Sequence, residues 1–199
     1  MDLIMGWTAI FFLGVWRSNV EVGIFGVAFR TAMLTSVFLS AANTIVAPKF
    51  AELYRAGHMD ALQITIRSAV RLVTLLSCPV LLVFLLASRQ VMMIFGPGYI
   101  NGAIVLIILT LGQFINAVTG PVGVLLMMTG HEVQLRNNIV FAAILNIALS
   151  IGLIPTWGAV GAAIATAASL AMLNVFSVYL VWTHLRISAF LFASNQVGD

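Results

Sequence analysis

Apolar stretches alternate with short polar stretches along the whole chain. The apolar segments cover roughly residues 3–17, 22–47, 72–88, 103–128, 138–154 and 158–183. A helix needs about 20 residues to cross a bilayer, with a range of about 17 to 25, and all but the first segment reach that length. In lipid the backbone polar groups must be satisfied internally, which a helix achieves by itself. The pattern predicts an all-α, polytopic membrane bundle of about six transmembrane helices.

The composition agrees with this prediction. Hydrophobic residues make up 62% of the 199 residues and charged residues only 8%, whereas soluble domains are near a quarter charged. No polar stretch is long enough to form a separate soluble domain, so we interpret residues 1–199 as a single transmembrane bundle. No basic stripe interleaved with aromatic residues is present, so we expect membrane lipids rather than nucleic acid as the surroundings of the chain.

Basic residues in the connections predict the orientation. The side of the bundle shared by both termini carries Lys49, Arg55, Arg67, Arg71, Arg136 and Arg186, and the other side carries only Arg17 and Arg89. Lysine and arginine accumulate on the cytoplasmic side of membrane proteins. We therefore expect both termini, and a long connection over residues 48–71, to face the cytoplasm.

Groups that carry catalytic or metal chemistry are missing from the apolar segments. The acids Asp2, Glu21, Glu52, Asp60, Glu132 and Asp199 all fall at or beyond segment ends. The three histidines lie in connections or the tail, without the spacing of a zinc site, and no phosphate-binding loop or nucleophile motif occurs. We expect a protein that is not an enzyme and that uses no metal and no cofactor.

Polar residues at helical spacing form stripes inside the apolar segments. They are Ser36, Ser40 and Asn43 in the second segment, Gln113, Asn116 and Gly120 in the fourth, and Asn146 with Ser150 in the fifth. Such stripes either make hydrogen bonds between helices or line a wet cavity. The break "TGPVG" favours the cavity, because proline in a membrane helix frees a carbonyl that something must satisfy.

An arginine interrupts the apolar stretch "IFGVAFRTAML". Arg30 lies about 12 Å inward of Val22 along a helix, near the middle of a hydrocarbon core about 30 Å thick. An arginine at that depth normally faces protein or water and marks a functional site. Its planar fork of donors matches phosphate oxygens, which predicts capture of an anionic head group. The alternative is a structural arginine held by helix carbonyls or by an acid from elsewhere in the chain.

Three stretches together resemble a known family. They are "EVGIFGVAFRTAMLTSVFLSAANTIVAPKFAELYRAGHMDAL", "IFGPGYINGAIVLIILTLGQFINAVTGPVGVLLMMTGHE" and "LNIALSIGLIPTWGAVGAAIATAASL". In order and spacing they are similar to the C-terminal half of polysaccharide (O-antigen or exopolysaccharide type) flippases of the multidrug/oligosaccharidyl-lipid/polysaccharide exporter superfamily. The resemblance implies one of two pseudo-symmetric bundles around a central cavity. The chain would then be N-terminally truncated and would pair with the missing N-terminal bundle or a second copy.

The resemblance also implies a function and a site. Arg30, in "VAFRTA", matches an arginine that meets the lipid pyrophosphate in the related lipid II flippases. The expected activity is transport of an undecaprenyl-diphosphate-linked oligosaccharide across the plasma (inner) membrane by alternating access, in lipopolysaccharide or polysaccharide biosynthesis. The expected substrate-binding residues are Arg30, Ser36, Ser40, Asn43, Gln113 and Asn116. The alternatives are a multidrug or metabolite exporter of the same superfamily and a non-transporting scaffold of a glycan-assembly complex.

Overall fold

The computed structural model describes residues 2–186, with side chains from Met5 onward, and every regular element in that range is helical. The elements are α1 (Asp2–Trp16), α2 (Asn19–Ala32), a 3₁₀ turn (Met33–Ser36), α3 (Val37–Arg55), α4 (Met59–Leu86), α5 (Ser88–Met93), a second 3₁₀ turn (Pro97–Gly102), α6 (Ala103–Thr119), α7 (Val122–Met128) and α8 (Glu132–Leu185). Four continuous helical stretches in this part of the chain are long and apolar enough to cross a membrane. The predicted all-α membrane bundle is confirmed.

Helix α8 folds back on itself. Gly158 has φ 54° and ψ −132°, which divides the 54 residues of α8 into a first arm (132–157) and a second arm (159–185). The arms lie side by side, because the Asn138 side-chain amide donates to the Leu173 carbonyl oxygen at 2.9 Å. Counting the two arms of α8 separately gives five long apolar helical stretches in the described residues, and α1 adds a shorter one. These six correspond to the six apolar segments of the sequence.

The α1–α2 connection and the first turn of α2 together clamp the turn at Gly158. The Arg17 guanidinium donates to the carbonyl oxygens of Ile154 at 3.2 Å and Pro155 at 2.7 Å, near the end of the first arm. One carboxylate oxygen of Glu21 accepts a hydrogen bond from the Ala159 backbone N–H at 2.9 Å, at the start of the second arm. Helix ends carry unsatisfied carbonyls and N–H groups with partial negative and positive charge, respectively. A cation and an anion therefore satisfy the two helix ends that meet at the turn.

The long cytoplasmic connection predicted over 48–71 is wrong in its extent, because most of it is helical. Helix α3 continues to Arg55 and α4 begins at Met59, which leaves a turn of three residues. Apolar residues on this stretch, among them Phe50 and Leu62, are fully buried. Its charged residues lowered the apparent hydropathy, but most of them lie on the exposed face of amphipathic helices.

The predicted break at "TGPVG" is confirmed. Helix α6 ends at Thr119 and α7 begins at Val122. Gly120 between them has φ 72°, and a β-carbon at this position would collide with the side chain of Val70 in α4. Glycine is therefore needed both for the backbone conformation and for the close approach of α4.

Two buried apolar clusters hold the bundle together. The first surrounds the Gly158 turn and includes Phe25 of α2, Leu106 of α6 and Ile154 of α8. The second joins α3, α4, α7 and the end of the second arm, with Phe50 and Val181 as examples. Large apolar side chains also cover much of the outer surface, as expected where lipid is the solvent.

Candidate functional site

Arg30 lies beside a small cavity between α1 and α2. The cavity has a volume of about 200 Å³. It is lined by Gly6, Trp7, Ile10, Gly26, Phe29, Arg30 and Met33. The two helices approach closely here, because a β-carbon at Gly6 would lie 2.5 Å from the ring of Phe29. The glycines at positions 6 and 26 thus leave room beside the arginine in an otherwise apolar wall.

Arg30 is exposed, and its guanidinium makes no hydrogen bond or ion pair with the side chains of residues 5–186 or with a carbonyl of the described backbone. Arg17 differs, because its guanidinium is fully engaged by the carbonyl oxygens of the α8 turn. The described part of the chain therefore provides neither the carbonyls nor the acid that a structural role for Arg30 needs. Its donors are available to an anion from outside the bundle.

A second cavity, of about 220 Å³, lies between α3, α6, α7 and both arms of α8. Three asparagines and one serine supply its polar surface, and we call it the amide pocket: Asn43, Asn116, Asn174 and Ser177. Its remaining walls are apolar or glycine, from Leu39, Gly120, Pro121, Gly123, Val124, Met127, Leu135, Ile139, Leu170 and Leu173. The structure thus brings together two of the predicted site residues, Asn43 and Asn116.

Hydrogen bonds hold half of the amide pocket in place. The Asn174 amide donates to the Leu170 carbonyl oxygen at 2.8 Å, and its own oxygen accepts from the Thr119 hydroxyl at 3.2 Å. The Ser177 hydroxyl donates to the Leu173 carbonyl oxygen and accepts from the Asn138 amide, at 2.8 and 2.9 Å. These bonds fix the side chains of Asn174 and Ser177 in place on the pocket wall.

The other half of the pocket has unused hydrogen-bonding capacity. The side-chain oxygen of Asn43 is buried and has no partner among the described residues. The side chain of Asn116 likewise makes no hydrogen bond with the described backbone or with the side chains of residues 5–186. Buried polar groups in folded proteins are nearly always paired with protein, water or ligand. The buried Asn43 oxygen therefore needs a polar ligand or water in the pocket to complete its bonding, and the half-buried Asn116 amide lines the same space.

The structure places the remaining predicted site residues elsewhere. Ser36 is buried in the 3₁₀ turn, where its hydroxyl donates to the Met33 carbonyl oxygen at 3.0 Å. Ser40 is exposed on α3. Gln113 is 2% exposed, and its side-chain oxygen has no partner in the described chain. These three residues line neither the Arg30 cavity nor the amide pocket.

Gln113 is one of several buried polar residues on α6 and α8. Thr110, Gln113, Asn146, Ser150, Thr166 and Ser169 are all buried, and each has a side-chain atom without a partner among the described residues. Helices α6 and α8 are close at this level, since a β-carbon at Gly112 would lie 2.8 Å from that of Ala167. Hydrogen bonds between helices, one of the two interpretations of the stripes, do not account for Asn146 and Ser150.

The sequence pattern did not single out Asn174 and Ser177 as site residues. Both lie on the last apolar segment, three residues apart and therefore on one helical face, and this spacing was the available signal. Their role as pocket walls depends on the sharp turn at Gly158, which returns the second arm along the first. Only the pairing of the two arms places them opposite α3 and α6.

The fold and these cavities define an all-α membrane bundle that encloses polar sites. The sequence is similar to a protein of Haloferax volcanii named "Probable low-salt glycan biosynthesis flippase Agl15", with 25% identity over 193 residues, or 96% of this chain. The chain spans 40% of the length of that relative. No protein-family model matches the chain, and no solved structure matches it. The chain is thus similar, over nearly its whole length, to part of a protein that is named as a probable flippase.

Proposed function

We propose that this chain is one bundle of a transporter that moves a lipid-linked glycan across the membrane by alternating access. The similarity to a protein named as a glycan biosynthesis flippase, over 96% of the chain, is the observation that carries the proposal. The substrate we propose is a glycan on a polyprenyl diphosphate, such as undecaprenyl diphosphate. No covalent bond is made or broken in this activity.

In this proposal Arg30 binds the pyrophosphate. The guanidinium is a planar fork of donors that binds phosphate oxygens in a bidentate manner. The unpaired guanidinium of Arg30 and the space left by Gly6 and Gly26 support this role. Because the surroundings are apolar, the attraction between the two charges is stronger than it is in water.

A second bundle completes the transport path in this proposal. Arg30 and Ser40 are exposed on α2 and α3, which form one continuous helical stretch of 37 residues apolar enough to span a membrane. Charged and polar side chains inside a span face protein or water rather than lipid. Both exposed residues therefore suit contact with a second bundle, either an N-terminal one or a second copy. Rocking of two bundles about a central site is how many transporters alternate access.

Deleting the gene tests the proposed function. We expect the deletion strain to accumulate the lipid-linked glycan precursor on the cytoplasmic side and to lose the surface glycan, because synthesis continues while transport stops. Mass spectrometry of extracted lipids measures the precursor, and the unmodified gene in trans is the control. Drug sensitivity with an unchanged glycan profile would instead indicate an exporter. Loss of glycan-assembly complexes without precursor accumulation would indicate a scaffold.

Cysteine labelling tests the orientation that we propose, in which both termini lie on the cytoplasmic side of the plasma membrane. Ala56 is exposed in the turn before α4, and Asn101 is exposed in the 3₁₀ turn before α6. In a Cys78→Ser background, Asn101→Cys should react with a membrane-impermeant thiol reagent in intact cells. Ala56→Cys should react only after permeabilisation. The reverse labelling pattern would show that the bundle is inverted.

A further inference from the structure

The amide pocket has about the volume that a site for one small ring needs. Its volume of about 220 Å³ leaves room for several water molecules or for one small ring. Three helices, α3, α6 and α7, and both arms of α8 contribute residues from separate parts of the chain to its wall. The pocket is therefore a product of the tertiary fold rather than of one helix.

The chemistry of the pocket wall selects against charged ligands. None of its lining residues is charged. Its polar groups are carboxamides and a hydroxyl, which both donate and accept hydrogen bonds. A ligand that matches them is neutral and carries hydroxyl groups, since each hydroxyl also donates one bond and accepts others. An anion here would lack the cation that Arg30 provides elsewhere.

The arrangement of free and engaged groups also fits a hydroxylated ring. Asn174 and Ser177 are held by bonds to the chain, whereas the Asn43 oxygen and the Asn116 amide are free to bind a ligand. Apolar side chains that line the same pocket, such as Leu39 and Ile139, suit the C–H face of a sugar. A wholly apolar ligand would leave the buried Asn43 oxygen unpaired, which disfavours its binding.

We propose that the amide pocket binds a single neutral sugar unit, with Asn43 and Asn116 as its hydrogen-bonding residues and Asn174 and Ser177 as the groups that shape the wall. The assignment of this sugar to the transported glycan rests on the proposed function. Asn43 is 13 positions after Arg30 on the α2–α3 stretch, about 20 Å along a helix. Sugar and pyrophosphate are thus recognised at separate places.

Substitution of Asn116 tests the sugar site. Asn116→Ala removes a ligand-binding amide without breaking a hydrogen bond within the described chain, so the bundle should remain folded. Asn137→Ala is the matched control, because Asn137 is exposed on the first arm and lies outside the pocket. Gly123→Ala is a second variant that keeps every amide but adds a methyl group to the pocket wall. The new β-carbon would lie 3.9 Å from the nearest side chain, Leu135, which is an ordinary contact, so the bundle should still fold.

Binding is measured on the whole chain in detergent by saturation-transfer NMR, with glucose, mannose and N-acetylglucosamine as probes. We expect saturation of at least one sugar by the unmodified chain and by Asn137→Ala. We expect about three- to tenfold weaker binding by Asn116→Ala, which loses one or two hydrogen bonds, and by Gly123→Ala. Equal signals for all four proteins, or no signal with any of them, would overturn the sugar site. Binding of inorganic pyrophosphate that depends on Asn116 would also overturn it.

The outcome is separable from that of the gene deletion. Sugar binding that depends on Asn116, in a chain whose deletion leaves the glycan unchanged, would support the pocket and contradict transport. Precursor accumulation in the deletion strain, with no sugar binding by the chain, would support transport and overturn the pocket.

Discussion

Gly158→Ala is expected to lower the free energy of unfolding by about 3 kcal/mol or more. The backbone at Gly158, with φ 54° and ψ −132°, lies in a region that residues with a β-carbon rarely adopt. A β-carbon there would also collide with the Glu21 carboxylate, which accepts the Ala159 N–H. The substitution therefore strains the turn and removes a charged hydrogen bond at once. Unfolding of the purified protein in detergent, followed by circular dichroism, measures the effect.

Gly152→Ala is the matched control for the turn. Gly152 lies in the first arm, and a β-carbon added there would meet nothing within 4 Å. Alanine favours a helix over glycine by about 1 kcal/mol, so this variant should be as stable as the unmodified protein or slightly more stable. Equal stability of Gly158→Ala and Gly152→Ala would contradict the role that we assign to the clamp formed by Arg17 and Glu21.

Arg30→Ala is expected to abolish most glycan export while the protein accumulates at its normal level. The guanidinium has no partner in the described chain, so its loss breaks no internal bond. A hydrogen bond to a charged group contributes about 1.5 to 3 kcal/mol, which corresponds to about a ten- to hundredfold loss of binding. Surface glycan and membrane protein are measured together in a deletion strain that carries each variant of the whole gene.

Two further variants define what Arg30 does. Arg30→Lys keeps the charge but loses the bidentate geometry, so it should retain partial export. Arg89→Ala is the control, because Arg89 is another exposed arginine and lies outside both cavities. Low protein levels in Arg30→Ala would indicate a structural arginine instead. Full export by Arg30→Ala at normal protein levels would remove Arg30 from the proposed site.

The amide pocket shows which part of a site can be predicted from the spacing of polar residues along the chain. The helical spacing of polar residues singled out Asn43 and Asn116, and the structure places both in one cavity. The same reasoning placed Ser36 on the face of Asn43, but the 3₁₀ turn Met33–Ser36 interrupts the helix. A local change in helix type alters the angular position of each residue, so residues before and after the turn no longer share one face.

The sequence by itself determined the class of fold. A helix long and apolar enough for a bilayer is readable from hydropathy, because lipid requires each span to satisfy its own backbone. The break at Gly120 was readable for a similar reason, since glycine followed by proline ends a helix locally. The end of α3 and the start of α4 could not be read from the sequence, because a charged amphipathic stretch has low hydropathy whether it forms a helix or a loop.

Only the tertiary structure decided which residues meet. The contacts of Arg17 and Glu21 with the α8 turn join residues more than 130 positions apart, and Asn174 reaches the pocket because Gly158 reverses the chain. Such contacts depend on how helices pack, which periodicity along one helix does not contain. Apolar spans direct the chain into the membrane, whereas the packing of those spans against each other creates the sites.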